Sequence, residues 1–217
     1  MSAQLNAGAG RCQGVARLLI KPPPAVIELG ALGDVQTRVL HAVHHANRHG
    51  STEDFIAVAF PTMRMGRDCM MPGHEIELIG SHAWLSNFLE LEGLKTLSRR
   101  GMLSDLAIAE TFFETGLRGA AYVRDRTCEK RTAGWIRRST ARAERRGKPV
   151  GSPVAQRGND LSALALSYGE VVLHVRETPG QTSESPMMVS TYGFSSFSAP
   201  AILPVLPDSM RETDRAA

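Results

Sequence analysis

The sequence predicts an α+β protein. Its first half carries a ferredoxin-like (βαββαβ) domain, and a smaller strand-rich module bearing an Arg-rich helix follows. Two observations predict this. Apolar segments of the first half alternate in the order strand, helix, strand, strand, helix, strand, the split βαβ pattern. From about residue 117 the composition changes, and basic residues concentrate in one window. The expected organisation is a loose tail over 1–15, the ferredoxin-like domain over 16–116, and a strand-rich module over 117–217 with its Arg-rich helix at 130–146.

Taken in order, the first strand is either Leu18–Ile20 or Ala25–Leu29, with Pro22–Pro24 outside it or at an edge. Asp34 is a plausible N-cap for a helix from Val35 to His49, closed by Gly50. Phe55–Phe60 reads as a buried strand stopped by Pro61, and Thr62–Gly73 as a long loop. Glu75–Ile79 alternates as the partner strand. Ser81 caps a second helix over His82–Ser98, and Leu106–Phe113 completes the pattern. In the second half, Ala120–Arg124 is a strand leading into the Arg-rich helix. A Gly/Pro linker from Gly147 to Asn159 comes next, then apolar pieces at Leu161–Ser167, Glu170–Arg176 and Met187–Phe194.

With 217 residues, 42% hydrophobic and 22% charged, the chain can bury a substantial core. Its net charge of +3 conceals an asymmetry. Between Arg118 and Lys148 there are 11 Lys/Arg against 3 Asp/Glu, or +8, and the remainder holds 14 against 19, or −5. Charge focused in this way suits a polyanion docking at one place. Cys12, Cys69 and Cys128 form no CxxC pair, which argues against a disulfide framework or a zinc ribbon. Without an 18-residue apolar run or an apolar N-terminal segment, no membrane association and a cytoplasmic location are expected.

The stretch Lys130–Arg146, KRTAGWIRRSTARAERR, is the clearest functional signal. Arg131, Arg138, Arg142 and Arg145/Arg146 recur at steps of three and four beside Trp135, with Arg137 adjoining, so they line one side of a helix. Such a helix spans ~25 Å at ~1.5 Å per residue, long enough to follow a nucleic-acid backbone. Its other side lacks the apolar face that a membrane-surface helix requires. Its single acid, Glu144, does not give the alternating signs of a solvated helix.

Four of the seven histidines, His41, His44, His45 and His49, fall on the first long helix. A metal site is one reading, because histidines at i, i+3 and i+4 can share a face, but there is no HExxH and no acid at ligand spacing. A catalytic base is the other. At ~100° per residue Val39, Leu40 and Val43 define the buried stripe, His44 lies at its margin, and His41, His45 and His49 turn to solvent. RNA cleavage suits a marginal histidine, since the substrate's own 2′-OH is the nucleophile and the protein need only orient it and accept its proton. Near the C-terminus, Ser190-Thr-Tyr-Gly-Phe194 sets Tyr192 before a glycine at a strand end.

The pair Val43-His44, the strand ending at Phe60-Pro61, the segment Tyr122–Arg126, the Arg-rich helix and Tyr192-Gly193 occur in the order found in the CRISPR repeat-processing endoribonucleases of type I-F systems, which the chain resembles over roughly 25–207. The resemblance implies a metal-independent enzyme with no cofactor. It would grip the CRISPR repeat hairpin through the Arg helix and cut pre-crRNA at the hairpin's 3′ base, leaving a 2′,3′-cyclic phosphate. It would then stay on the mature crRNA within a Cascade-like complex, meeting other subunits directly and target DNA through the complex. By the same resemblance His44 is the general base, Tyr192 orients it, Arg124 reads a base at the foot of the stem, and Arg126 replaces a common glutamine. The family's Ser-x-Ser segment is compressed to Ala-Leu-Ser167-Tyr168-Gly, leaving Ser167 to constrain the 2′-OH. Ungapped alignment would put His45 in the catalytic slot; helix phase puts His44 there. Two alternatives are a crRNA hairpin binder that no longer cuts, and an unrelated basic nucleic-acid-binding protein with a metal bound through His41 and His45.

Overall fold

A computed structural model describes residues 5–6, 8–67, 69–104, 106–111, 114–126, 133–147, 163–168 and 171–204. Among them the chain is mixed α+β, with five helices and twelve strands. The first half runs through Ala9–Cys12 (β1), Ala16–Ile20 (β2), Pro24–Glu28 (α1), Leu32–His49 (α2), Ala57–Ala59 (β3), Arg64–Met65 (β4) and Met70–Met71 (β5). It continues through Ile76–Gly80 (β6), His82–Leu89 (α3), Glu92–Arg99 (α4) and Ile108–Glu110 (β7). After these come Arg118–Arg124 (β8), Ala133–Arg145 (α5), Leu164–Tyr168 (β9), Val171–Gln181 (β10), Met187–Ser190 (β11) and Leu203–Pro204 (β12).

One antiparallel sheet has the order β3-β6-β2-β7. Strands β3, β6 and β2 are short and almost wholly buried, with the buried Arg17–Glu77 pair between β2 and β6, whereas edge strand β7 is mostly exposed. Helix α3 packs on β2, β6 and β7, and α2 lies beside α3 and α4. The second sheet has the order β12-β8-β10-β9-β5-β4, and β1 pairs with β11 as a separate ribbon.

The two halves exchange strands. Met70 of β5 pairs in parallel with Leu164 of β9, and Ala9–Cys12 pairs with Met187–Ser190. Residues 9–12 are therefore not the loose tail expected over 1–15. Gly10 and Cys12 alternate inward, and the strand edge of β11 supplies the backbone partners that a free tail would lack. The buried side chains of both halves form one continuous core.

Other expectations shift in detail. Strand β2 takes Leu18–Ile20, whereas Ala25–Leu29 lies largely in α1, where Pro24 occupies the helical first turn. Helix α2 begins at Leu32 with Asp34 inside its first turn, so this acid faces the helix N-terminus without capping it. Ser81 does cap α3, its Oγ accepting from the Trp84 N–H at 3.0 Å. The helix expected over 82–98 is broken where Leu91 turns extended before α4. The loop 62–73 holds the two short strands β4 and β5, and β10 runs on to Gln181 against β8. The described part of the Arg-rich helix is Ala133–Arg145; Arg131 and residues 148–162 of the linker region lie outside the described residues.

The halves are tied at Asn47, which is fully buried on α2. Its Nδ2 donates to the carbonyls of Ile56 (2.9 Å) and Thr191 (3.3 Å), and its Oδ1 accepts from the Ile56 N–H (2.8 Å). One side chain thus fixes α2, the approach to β3 and the segment after β11. A second tie is Tyr122 of β8, whose hydroxyl donates to the Phe60 carbonyl at 3.1 Å. Replacing Asn47 by Ala strands the buried Ile56 N–H and two carbonyls, and is expected to cost roughly 3 kcal/mol of unfolding free energy. Urea titration of the variant beside the parent measures this, and a loss under about 0.5 kcal/mol, the range of neutral surface changes, would show that Asn47 is no tie.

Candidate active site

Helix α2 presents its histidines as the periodicity predicts. Val39, Leu40 and Val43 are buried, His44 is half-buried, and His41, His45 and His49 are exposed. Around His44 the fold collects side chains from three other places in the chain. Tyr192 stacks on the His44 ring with centroids 4.2 Å apart and planes within 11°. Tyr168, at the end of β9, meets His44 edge-on at 5.5 Å and Tyr192 edge-on at 5.1 Å, and stacks flat on His41 at 3.9 Å. Arg124, at the end of β8, holds its guanidinium carbon 5.1 Å from the Tyr192 ring centre, within cation–π range.

The position of Tyr192 follows from its turn. The Gly193 N–H donates to the Ser190 carbonyl at 2.8 Å, and the Gly193 carbonyl accepts from Val58 N–H at 3.0 Å, which straps the turn to β3. Gly193 has φ +81, and a Cβ there would lie 2.6 Å from a Val58 methyl and 3.0 Å from the Ile56 carbonyl. No other residue meets both demands without strain. Thr191, whose carbonyl accepts from Asn47, immediately precedes the ring. Arg124 is set by its N–H, which donates to Ser195 at 3.2 Å, and by the next residue: buried Asp125 accepts from Arg176 Nε at 2.6 Å.

Ser167 does not join this cluster. It is exposed, and along β9 the buried positions are Leu164 and Leu166, so Tyr168 shares their face and Ser167 points to the opposite one. Its backbone does meet α2, since the Ser167 carbonyl accepts from Thr37 Oγ1 at 3.3 Å. Tyr168 is the residue that sequence reasoning missed; the alternation Leu164, Leu166, Tyr168 was the signal for it. His45 faces away from Tyr192 and pairs with His49, with ring centroids 4.3 Å apart. Arg126 is exposed beyond Arg124, and Trp135, Arg137, Arg138, Arg142, Arg145 and Arg146 are all exposed on or just after α5.

A cleft of about 570 Å³ opens beside His44, lined by the outward face of α2, by Tyr168 and by Leu91–Gly93 at the start of α4. His44 Nδ1 is buried without a well-formed hydrogen bond, which leaves the Nε2 edge of the ring to the cleft. Burial lowers the His44 pKa below 6.5, and positive charge on Arg48, His41 and His45 acts in the same direction; the nearby Thr191 backbone opposes it. The imidazole is therefore neutral at pH 7 and able to accept a proton. Burial and the neighbouring Tyr192 raise the Tyr168 pKa, so its hydroxyl remains protonated.

Among the described residues no three His, Cys, Asp or Glu side chains gather as a metal-binding group, and no helix is long and apolar enough to cross a membrane. Cys12 is buried, with its thiol pKa pushed up to about 12 by that burial. It is a poor nucleophile there.

Because the folded His44 binds its proton less readily than the unfolded chain, the folded state holds fewer protons between its lowered pKa and 6.5. Stability contributed by the neutral ring is then complete above pH 6.5 and is lost as the pH falls through the lowered value. The melting temperature of the parent is expected to fall more between pH 7 and pH 5 than that of His44→Gln. Parallel curves would show that the ring is not desolvated.

No protein-family model matches the chain, and no curated protein is significantly similar to it.

Proposed function

We propose that this chain is a metal-independent endoribonuclease of the type I-F CRISPR repeat-processing kind, which binds a repeat hairpin, cuts at its 3′ base and stays on the mature crRNA as a subunit of the surveillance complex. The observation that carries the reading is the His44 cluster: a neutral imidazole at the lip of a cleft, stacked on Tyr192, with the Arg124 guanidinium over the far end of the ring pair. The order of β2, α2, β3, β6, α3/α4 and β7, with the all-antiparallel arrangement β3-β6-β2-β7, supports a ferredoxin-like first domain. The exposed arginines of α5 support hairpin binding.

In this reading His44 Nε2 takes the proton of the 2′-OH beside the scissile phosphate. The 2′-oxygen bonds to phosphorus, the bond from phosphorus to the 5′-oxygen breaks, and that oxygen takes a proton from water. The products are a 2′,3′-cyclic phosphate and a free 5′-OH. Tyr192 and Tyr168 hold the imidazole plane, which limits the directions from which Nε2 can approach the hydroxyl. The Arg124 guanidinium, held at the end of β8, lies within reach of RNA at this lip and suits a base at the foot of the stem or the adjoining phosphate.

A hairpin clamp that no longer cuts is the second reading. The observation in its favour is Ser167, which faces away from His44 and leaves the 2′-OH without a hydroxyl partner from that residue.

Cleavage of a labelled repeat hairpin in EDTA separates the two. The parent and His45→Ala are expected to cut, while His44→Ala binds the hairpin but loses about 10²- to 10⁴-fold in single-turnover rate, the usual worth of a general base. The rate should rise with pH along an acid limb whose midpoint lies below 6.5, following the lowered His44 pKa. Loss of activity in His45→Ala instead would move the base by one residue. Tight binding without cleavage by the parent would leave the clamp.

A further inference from the structure

The ring contacts at the site have an order. Arg124 touches Tyr192, Tyr192 stacks on His44, His44 meets Tyr168, and Tyr168 stacks on His41. This line starts at the end of β8 and finishes in the cleft beside α2. If the stem foot lies at Arg124 and the scissile phosphate at His44, a strand continuing in the same direction enters the cleft.

The cleft suits such a strand. Arg38, His41, His45 and Arg48 face it at steps of three, four and three along α2. Neither Arg38 nor Arg48 has a carboxylate partner among the described residues. The one acid lining it, Glu92, is engaged by Arg99. The lining is thus cationic, and the flat Tyr168–His41 pair at its mouth is a platform on which a base can stack. No large apolar side chain is exposed on α2, which tells against a membrane surface as the occupant.

We propose that this face of α2 is a track for the single-stranded RNA on the 3′ side of the cut. The inference rests on the endoribonuclease reading and deepens it: the substrate is a hairpin with a 3′ flank, held before cleavage by contacts separate from those of the stem. From Arg38 to Arg48 the helix rises ~15 Å, which matches about four nucleotides stacked at ~3.4 Å.

The test uses the full-length parent and repeat RNA made uncleavable by a 2′-deoxy nucleotide at the cut. A hairpin ending there is compared with the same hairpin carrying four or eight further nucleotides. The extension is expected to tighten binding, with the gain complete by about four nucleotides. Its salt dependence should be steeper by about 1.4 in log K against log salt, since a single strand contributes ~0.7 per phosphate contact and two arginines make two. Raising salt from about 50 to 200 mM would then reduce the gain roughly sevenfold. Arg38→Gln and Arg48→Gln should each remove about 0.7 of that slope, and Arg38→Gln should bind the hairpin-only RNA as the parent does. Equal binding of short and extended RNA by the parent would overturn the track and leave the endoribonuclease reading standing, as would a gain that neither variant alters. Failure of the parent to bind the hairpin at all would overturn both.

Discussion

The buried amide of Asn47 is the constraint on which the candidate site depends. An amide with no exposure and both ends engaged has one comfortable orientation, and here that orientation ties three chain segments that are distant in sequence. Asn47 is one turn beyond His44 on α2, and its partner Thr191 is next to Tyr192. The flat stacking of the two rings is therefore set from below by hydrogen bonds that water cannot reach. Gly193 completes the arrangement from the other side, because its positive φ and its close approach to Val58 let the turn lie flat on β3.

Strand exchange makes the site composite. The histidine comes from the first half of the chain, while Tyr168, Tyr192 and Arg124 come from the second, at the ends of three different strands. These rings reach His44 through long-range contacts that pack β9 on α2 and hold the Thr191 carbonyl against Asn47. Such contacts close loops of well over a hundred residues, which carries a loop-closure entropy cost that local contacts do not.

Much of this was legible in the sequence because it depends on local periodicity. The phase of α2 separates buried Val39, Leu40 and Val43 from exposed His41 and His45 and places His44 on the boundary, as the geometry has it. Ser81 as a cap and the apolar runs of β3 and β6 are equally local signals. What could not be read depends on pairing at a distance. Nothing in Ala9–Cys12 reveals that β11 will offer it an edge, and nothing in Met70 announces a parallel partner at Leu164. Ser167 against Tyr168 is an intermediate case. A hydroxyl looked like the chemical residue, but strand alternation from Leu164 and Leu166 assigns the inward position to its neighbour, and periodicity outranks chemical appeal when side chains differ by one place in a strand.

Helix α5 poses the opposite problem from Asn47, since its described side chains are mostly exposed and its charges repel. Arg138 and Arg142 are four apart, as are Arg142 and Arg146, an arrangement that weakens an isolated helix. A polyanion along this helix would neutralise that repulsion, so its binding free energy would also be helix-stabilising free energy. The chain outside Arg118–Lys148 carries a net −5, so a polyanion would be drawn to this window rather than spread over the remaining surface.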